Sequence, residues 1–442
     1  MKPYNQNSGW QIAEDCLCMV YPINSMTNAC VKLATRNLDT LARHWREAPR
    51  RWGHPLHSLC SYFAMFPPHI PRVFVEWLTD VGDVVYDPFS GRGTAPMEAC
   101  RLGRIGLGSD ANPLAYVLTA AKVDPPTMQE ISRRLEVLDT SMPKRIRVRL
   151  PDDIRMLYSP KVQRQLGWLQ EQLNIQNRVD RFIMSSVLGL MHANYKLGSP
   201  ARGLSISMPN TFSMSPEYVR RYIAEHQLQP PNVDVIDMVR SKAERMCIPD
   251  SEARRGRGWM ADARTASALK EGQAKLVFTS PPYLGVIKYG KYNWIRLWML
   301  GHSPRSVDND LIATASLRKY LDFMIEVISG LRSRVRADGY LCLMIGDVTD
   351  RSTNTTLNLA EMVWRNAAKT LGWRRLGILN DHLPEQHKVS RIWGRERKGH
   401  ATKVDRILVL APPGSHHKLP RLPRSFEWIS DNDWARFGTE EM

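Results

Sequence analysis

The residues best equipped for chemistry lie in one short stretch, Thr279-Ser280-Pro281-Pro282-Tyr283. Ser280 offers a hydroxyl oxygen, the prolines offer carbonyls with no N–H beside them, and Tyr283 offers a flat aromatic face. Two successive prolines can neither continue a strand ladder nor sit inside a helix, so the chain leaves in a stiff turn. Such a turn suits a planar group bearing an amine, with acceptors for its two hydrogens and a ring for its π-face. A plain proline loop after a strand would read the same over five residues, so the rest of the chain must decide.

A second set lies far upstream, in Asp87-Pro88-Phe89-Ser90-Gly91-Arg92-Gly93-Thr94. Glycines let a backbone close on a ligand, and a helix N-terminus following the loop favours a negative group. A dinucleotide fingerprint would need its third glycine at position 96, which is Pro96, and this weakens a dehydrogenase reading. Asp110 follows Gly91 at about the spacing of an acid that holds a ribose diol. S-adenosylmethionine fits these parts, having a ribose, an adenine and a small carboxylate instead of a pyrophosphate.

These residues need a sheet to bring them together, and the pattern supplies one. Residues 83–87 read as a strand, 95–102 as a helix, 104–110 as a second strand, and 113–122 as a helix capped by Asn112 ahead of Pro113. That order opens a doubly wound α/β sheet. After Pro125-Pro126 the pattern turns helical and polar to about residue 257, with basic clusters at 144–149 and 254–257. Strand pattern resumes at 259–264 and 275–279, helices are expected at 292–300 and 317–335, and strands at 339–346 and 406–410. The expected organisation is an arm over 1–53, a sheet domain over 54–124 and 258–412, a mainly helical insertion over 125–257, and a loosely held tail over 413–442.

Composition narrows the class. The 442 residues carry 61 Lys+Arg against 44 Asp+Glu, a net charge of +17 that points to a polyanionic partner, nucleic acid first. The seven cysteines are scattered without metal-ligand spacing, and the twelve histidines include no His-Glu-x-x-His, so no metal is expected. No run of about 18 apolar residues occurs, and Met1-Lys2-Pro3-Tyr4-Asn5 lacks an apolar signal core, so the expectation is a cytoplasmic protein without a membrane span.

Taken together, the motifs resemble those of the amino-DNA methyltransferases, which methylate exocyclic amines of cytosine or adenine. The resemblance covers most of residues 54–122 and 259–411. It implies a mostly parallel methyltransferase-type sheet with S-adenosylmethionine as cofactor. Phe66, Asp87, Phe89, Gly91, Gly93 and Thr94 would line the cofactor site, Asp110 would hold the ribose, and Asp262 would lie near the adenine. Met65 stands where the family often has a lysine ahead of the phenylalanine. Ser280, Pro281, Pro282 and Tyr283 match the catalytic tetrapeptide, with Tyr283 stacking on a base flipped out of the duplex. The motif order is that of the group whose target-recognition region lies between the two motifs. Double-stranded DNA is the implied partner, and the resemblance admits a cognate restriction endonuclease.

The chemistry accounts for the residue types. A base's amino nitrogen is a poor nucleophile because its lone pair is delocalised into the ring. Acceptors for its two hydrogens let the nitrogen become more tetrahedral and aim the lone pair at an already activated methyl. C5-cytosine methylation would need a cysteine after a proline, and none of the seven has one. By family analogy a serine before Pro-Pro-Tyr points to cytosine N4 ahead of adenine N6. In the insertion, Lys144, Arg145, Arg147, Arg254, Arg255 and Arg257 are expected at phosphates and Arg202 at a guanine edge. Two other readings stay open: an RNA or protein amine methyltransferase, and a DNA-binding protein on a catalytically silent scaffold.

Overall fold

The computed structural model describes residues 53–429 except 63–65, 147, 197, 211, 249–252, 283, 285–287, 313, 350–354, 383–388, 393–394, 399–403 and 421–427. The expected arm therefore lies outside the described residues, apart from Gly53.

Eight segments make one sheet: β1 (Val84–Asp87), β2 (Ile105–Asp110), β3 (Arg257–Met260), β4 (Ala274–Thr279), β5 (Val335–Gly346), β6 (Arg374–His382), β7 (Val404–Ala411) and β8 (Trp428–Ile429). Their spatial order is β8-β6-β7-β5-β4-β1-β2-β3. Strands β3, β2, β1, β4 and β5 run parallel, whereas β7 is antiparallel to both β5 and β6, and β8 is antiparallel to β6. From β1 the chain winds outward through β2 and β3, then returns to the other side of β1 for β4 and β5. The crevice between β1 and β4 is thus the point where the winding reverses, the place where such sheets bind ligands. The sheet is doubly wound and mostly parallel.

Parallel strands covered on both faces read as near-continuous apolar runs, and β1 and β4 do. Alternate residues of β4 feed different cores. Leu276 and Phe278 pack with Ile70, Phe74 and Trp77 of the helix His69–Leu78, while Val277 packs with Phe323 and Val327 of the helix Leu317–Leu331. The helices Thr94–Arg101 and Pro113–Val123 follow β1 and β2, and Asn112 caps the second by accepting from the Leu114 N–H at 3.1 Å.

Between Pro113–Val123 and β3 run five longer helices among the described residues, Met128–Thr140, Pro160–Gln172, Arg178–Leu190, Pro216–His226 and Val235–Met246. Each is capped by the side chain before it: Thr127, Ser159, Asn177, Ser215 and Asp234. Their apolar faces share one core with Leu114, Val117 and Ala121 of Pro113–Val123 and with Trp294 and Leu297. The layer thus packs on the helix that follows β2.

Several boundaries differ from expectation. The strand expected at 259–264 is β3, which begins at Arg257 and ends at Met260, so Arg257 belongs to the sheet and Asp262 lies past the strand. The helix expected at 292–300 is two short pieces, Tyr289–Tyr292 and Trp294–Met299, broken at Asn293. The helix over 317–335 stops at Leu331, because Val335 already pairs with Ala274. The tail is not wholly loose: Trp428 and Ile429 pair with Leu379 and Ile378, covering the outer edge of β6. Among the described residues no helix is long and apolar enough to cross a membrane.

Candidate active site

Four of the residues singled out above stand at the C-terminal ends of four adjacent strands. Asp87 ends β1, Asp110 ends β2, Asp262 comes two residues after β3, and Ser280 is the first residue after β4. Register fixes the alignment, with Asp110 opposite Met260 and Asp87 opposite Gly108.

The glycine loop between them is shaped by backbone geometry. Gly91 and Gly93 have φ of +51° and +78°, in the left-handed region. A β-carbon on Gly93 would stand 2.8 Å from the Thr119 Cα, which is backbone and cannot yield cheaply. Gly93→Ala is therefore expected to destabilise the fold by about 2–4 kcal/mol, from backbone strain plus overpacking. Thermal denaturation would show this as a lowered Tm, and an unchanged Tm would refute it.

Behind the loop, buried side chains fasten it to the 3-10 turn Pro55–Ser58. The Arg92 guanidinium donates to the His57 carbonyl at 3.0 Å and to the Thr94 hydroxyl at 3.2 Å. Lys122 donates to the Arg92 carbonyl at 2.8 Å. His57 Nε2 and Glu98 Oε1 meet at 2.6 Å. Burial lowers the His57 pKa to about 4 despite Glu98, so a neutral imidazole donates its N–H to the carboxylate. Glu98 itself is held below its ordinary value: burial opposes this, but the hydrogen bond from His57, with the nearby Arg101 and Arg72 charges, outweighs it.

The two acids at the loop have different unmet needs. Asp110 accepts from the Gly91 and Asn112 backbone N–H groups, each at 2.9 Å. Burial nevertheless raises its pKa to about 6. A carboxylate has about four lone-pair sites, so those two bonds leave room for two further donors. Asp87 is fully buried, and its Oδ1 accepts from the Thr279 hydroxyl at 2.6 Å and the Phe89 N–H at 3.0 Å. Its Oδ2 is buried with no hydrogen-bond partner among the described residues. Burial raises Asp87 to about 7 against the Thr279 and Phe89 bonds, with the Asp110 charge adding to the rise. A buried carboxylate oxygen without a donor calls for an explanation.

The Thr279–Asp87 bond joins the residue just before Ser280 to the acid that opens the glycine loop. The two sequence motifs, far apart in the chain, thus share one buried contact at the crevice between β1 and β4. Ser280 and Pro282 are half-buried and Pro281 is buried, while Tyr283 lies outside the described residues. Phe66 meets Phe278 edge to face at 5.8 Å, and Phe89 meets Phe323 edge to face at 5.8 Å. Thr94 is buried in the first turn of its helix. Asp262 is taken up by Arg264, which donates to it from Nη2 at 2.7 Å and from its backbone N–H at 2.8 Å, holding the carboxyl below its ordinary value.

Sequence reading missed Tyr62, Asn112 as a site residue, and Tyr289. Tyr62 accepts from Asn112 Nδ2 at 2.9 Å and stacks on Tyr289 at 5.7 Å. No spacing rule links a tyrosine to a glycine loop so far downstream, so no sequence signal pointed to it.

The basic residues are dispersed. Lys144, Arg145 and Arg202 are exposed, and Arg147 lies outside the described residues. Arg254 donates its backbone N–H to the Cys100 carbonyl at 2.9 Å, and Arg255 pairs with Asp124 at 3.4 Å. Arg257 opens β3 with its guanidinium 5.1 Å over Trp259. Cys100 and Asp124 lie at the ends of the helices that follow β1 and β2, so these three arginines flank the edge where the parallel strands begin. The candidate site is on the other edge. The insertion does approach that side: Ser213 donates to the Tyr292 carbonyl at 2.9 Å, Trp294 Nε1 donates to the Met214 carbonyl at 2.8 Å, and Phe212 meets Tyr292 at 5.3 Å. Among the described residues no group of three His, Cys, Asp or Glu could hold a metal ion.

No family model matches the chain. It is 26% identical over 172 residues to the type II methyltransferase M.MvaI of Kocuria varians, covering 36% of this chain and 37% of that protein. Over 80 residues it is 26% identical to the type II methyltransferase M.MjaII of Methanocaldococcus jannaschii, covering 18% of this chain and 15% of that one. The matched stretches thus span well under half the length of either relative. Among solved structures, a candidate DNA modification methylase of Thermus thermophilus, complexed with S-adenosyl-L-methionine, aligns at 23% identity over 40% of this chain and 64% of that one, with a TM-score of 0.23. The rRNA methyltransferase aviRa of Streptomyces viridochromogenes aligns at 10% identity over 83% of this chain and 96% of its own, with a TM-score of 0.32.

Proposed function

We propose that this chain is an S-adenosylmethionine-dependent DNA methyltransferase acting on an exocyclic amine, cytosine N4 ahead of adenine N6. The observation that carries the reading is the buried Thr279–Asp87 bond, which sets an amine-accepting turn beside a nucleotide-type loop at the sheet's switch point. The type II methyltransferases that share sequence with the chain support the methyltransferase part of this reading.

The residues fit the cofactor. Asp87 Oδ2 lacks a donor among the described residues, and the ammonium of the methionine moiety would supply one. Asp110 has acceptor capacity left for two ribose hydroxyls, and Gly91 and Gly93 allow close approach. When bound, S-adenosylmethionine supplies an electrophilic methyl that needs no further activation. The protein's part is to hold and polarise the base. Ser280 Oγ and the Pro281 carbonyl accept the two amine hydrogens, and Tyr283 carries the base's ring face. Lys144, Arg145 and Arg202 are assigned to the DNA. Arg254, Arg255 and Arg257 drop out of that assignment, because they flank the opposite edge of the sheet.

Asp87 gives this reading a pH signature. With a pKa of about 7 in the ligand-free protein, it is ionised above that pH and attracts an ammonium; below it the carboxyl is protonated and the attraction is lost. Calorimetric affinity for S-adenosylhomocysteine is expected to weaken as pH falls through 7, approaching about tenfold per unit. A flat profile from about pH 5.5 to 8, the range that brackets such a titration, would remove Asp87 from the cofactor site.

The deciding experiment is transfer of labelled methyl to DNA, followed by digestion to nucleosides and mass spectrometry. N4-methylcytosine is the expected product. N6-methyladenine would move the base assignment, and label appearing only in RNA or protein would overturn the DNA reading.

A further inference from the structure

The chain meets the glycine loop both before and after the turn at Ser280, at Thr279 and at Tyr289. On the near side is the Thr279–Asp87 bond at 2.6 Å. On the far side, Tyr289 stacks on Tyr62 with ring centroids 5.7 Å apart and planes inclined by 24°. Tyr62 lies on the loop itself: a β-carbon at Gly91 would stand 3.4 Å from its Cε1. Its hydroxyl accepts from Asn112 Nδ2 at 2.9 Å, and the Asn112 backbone N–H binds the Asp110 carboxylate at the same distance.

Tyr289 is also braced from behind. Asp308 accepts from the backbone N–H groups of Gly290 and Lys291 at 2.7 and 3.0 Å. Gly290 lets the chain press on its neighbour, since a β-carbon there would come within 2.0 Å of the Pro304 carbonyl oxygen. A ring on so fixed a backbone transmits displacement instead of absorbing it.

We propose that the Tyr62–Tyr289 stack is a positioning device coupling the cofactor loop to the segment that leads away from Ser280. Filling the pocket at Gly91 and Asp110 immobilises Tyr62, and through the stack it stiffens residues 288–294. Residues 288–294, which follow the amine-accepting turn in the chain, are thereby firmest when the methyl donor is in place. Neither tyrosine touches the reacting atoms. The inference rests on the cofactor site proposed above, and it adds an order to the reaction: donor first, then a firm seat for the base.

Hydrogen exchange on the full chain, with and without saturating S-adenosylhomocysteine, tests it. In the wild type and in Tyr289→Phe, which keeps the ring, amides of residues 288–294 should exchange about fivefold or more slowly with ligand. Tyr289→Ala, shown to be saturated by calorimetry, should lose that slowing. Its kcat on plasmid DNA should drop about tenfold or more while the cofactor KM moves less than about twofold. Tyr62→Ala, at saturating ligand, should likewise lose the slowing, and the kcat of the double variant should be no worse than that of the worse single. Ligand-induced slowing that survives in Tyr289→Ala, or losses that add, would overturn the coupling. Wild-type binding with unchanged exchange would overturn it alone. No wild-type binding would bring down the cofactor site and this inference together.

Discussion

Ser280→Ala is expected to lower kcat for DNA methylation by about 10²–10³ while leaving affinity for S-adenosylhomocysteine within about twofold. The hydroxyl sits one residue beyond the buried Thr279, whose bond to Asp87 fixes where the strand ends and the turn begins. Alanine keeps that backbone and removes the acceptor for an amine hydrogen. The amine nitrogen then stays conjugated with the ring, and its lone pair is directed poorly at the methyl. An acceptor needed mainly in the transition state shows up in kcat and not in cofactor binding. Turnover within about threefold of wild type would take Ser280 out of the chemistry.

The second large effect belongs to Asp110. Asp110→Ala should weaken S-adenosylhomocysteine binding by about 1.5–3 kcal/mol, the loss of charged hydrogen bonds to the ribose. The variant should not simply unfold. Burial raises the Asp110 pKa to about 6, so its ionised form gains nothing from the fold at neutral pH and costs some stability there. What alanine removes from the protein is the acceptor for the Gly91 and Asn112 N–H groups. Calorimetry on a variant with a near-normal Tm separates the two effects, and unchanged affinity would end the ribose assignment.

The centre of the fold was legible in the sequence because its signals are local. An apolar run ending in Asp87, a glycine loop, a helix and a second run ending in Asp110 each follow from a few adjacent residues. The edge was not. In β6, Arg374-Arg375-Leu376-Gly377 interrupts the apolar pattern, and only pairing with β7 shows it to be a strand. Trp428 and Ile429 are too short a strand to read without the β6 edge they cover. Of the candidate site, the acids and the serine were legible, while their contacts were not. That Asp87 answers to Thr279, or that Tyr62 lies over Gly91, depends on strands and segments meeting in space. The cluster at 254–257 could not be placed for the same reason: charge in a sequence has no side, and Arg257 opens a sheet strand.

The helical layer between β2 and β3 has no core of its own, since Leu114, Val117, Ala121, Trp294 and Leu297 complete it. A deletion that trims the chain to its sheet would leave that apolar surface bare, and the remnant should aggregate instead of persisting as a minimal catalytic unit. Nor is the layer a cassette to be exchanged at its two junctions. A chimera would have to carry the outer faces of Pro113–Val123 and Trp294–Met299 along with the graft. Change in that layer is therefore bound to compensating change on the sheet side, and lineages would diverge through paired substitutions across this seam.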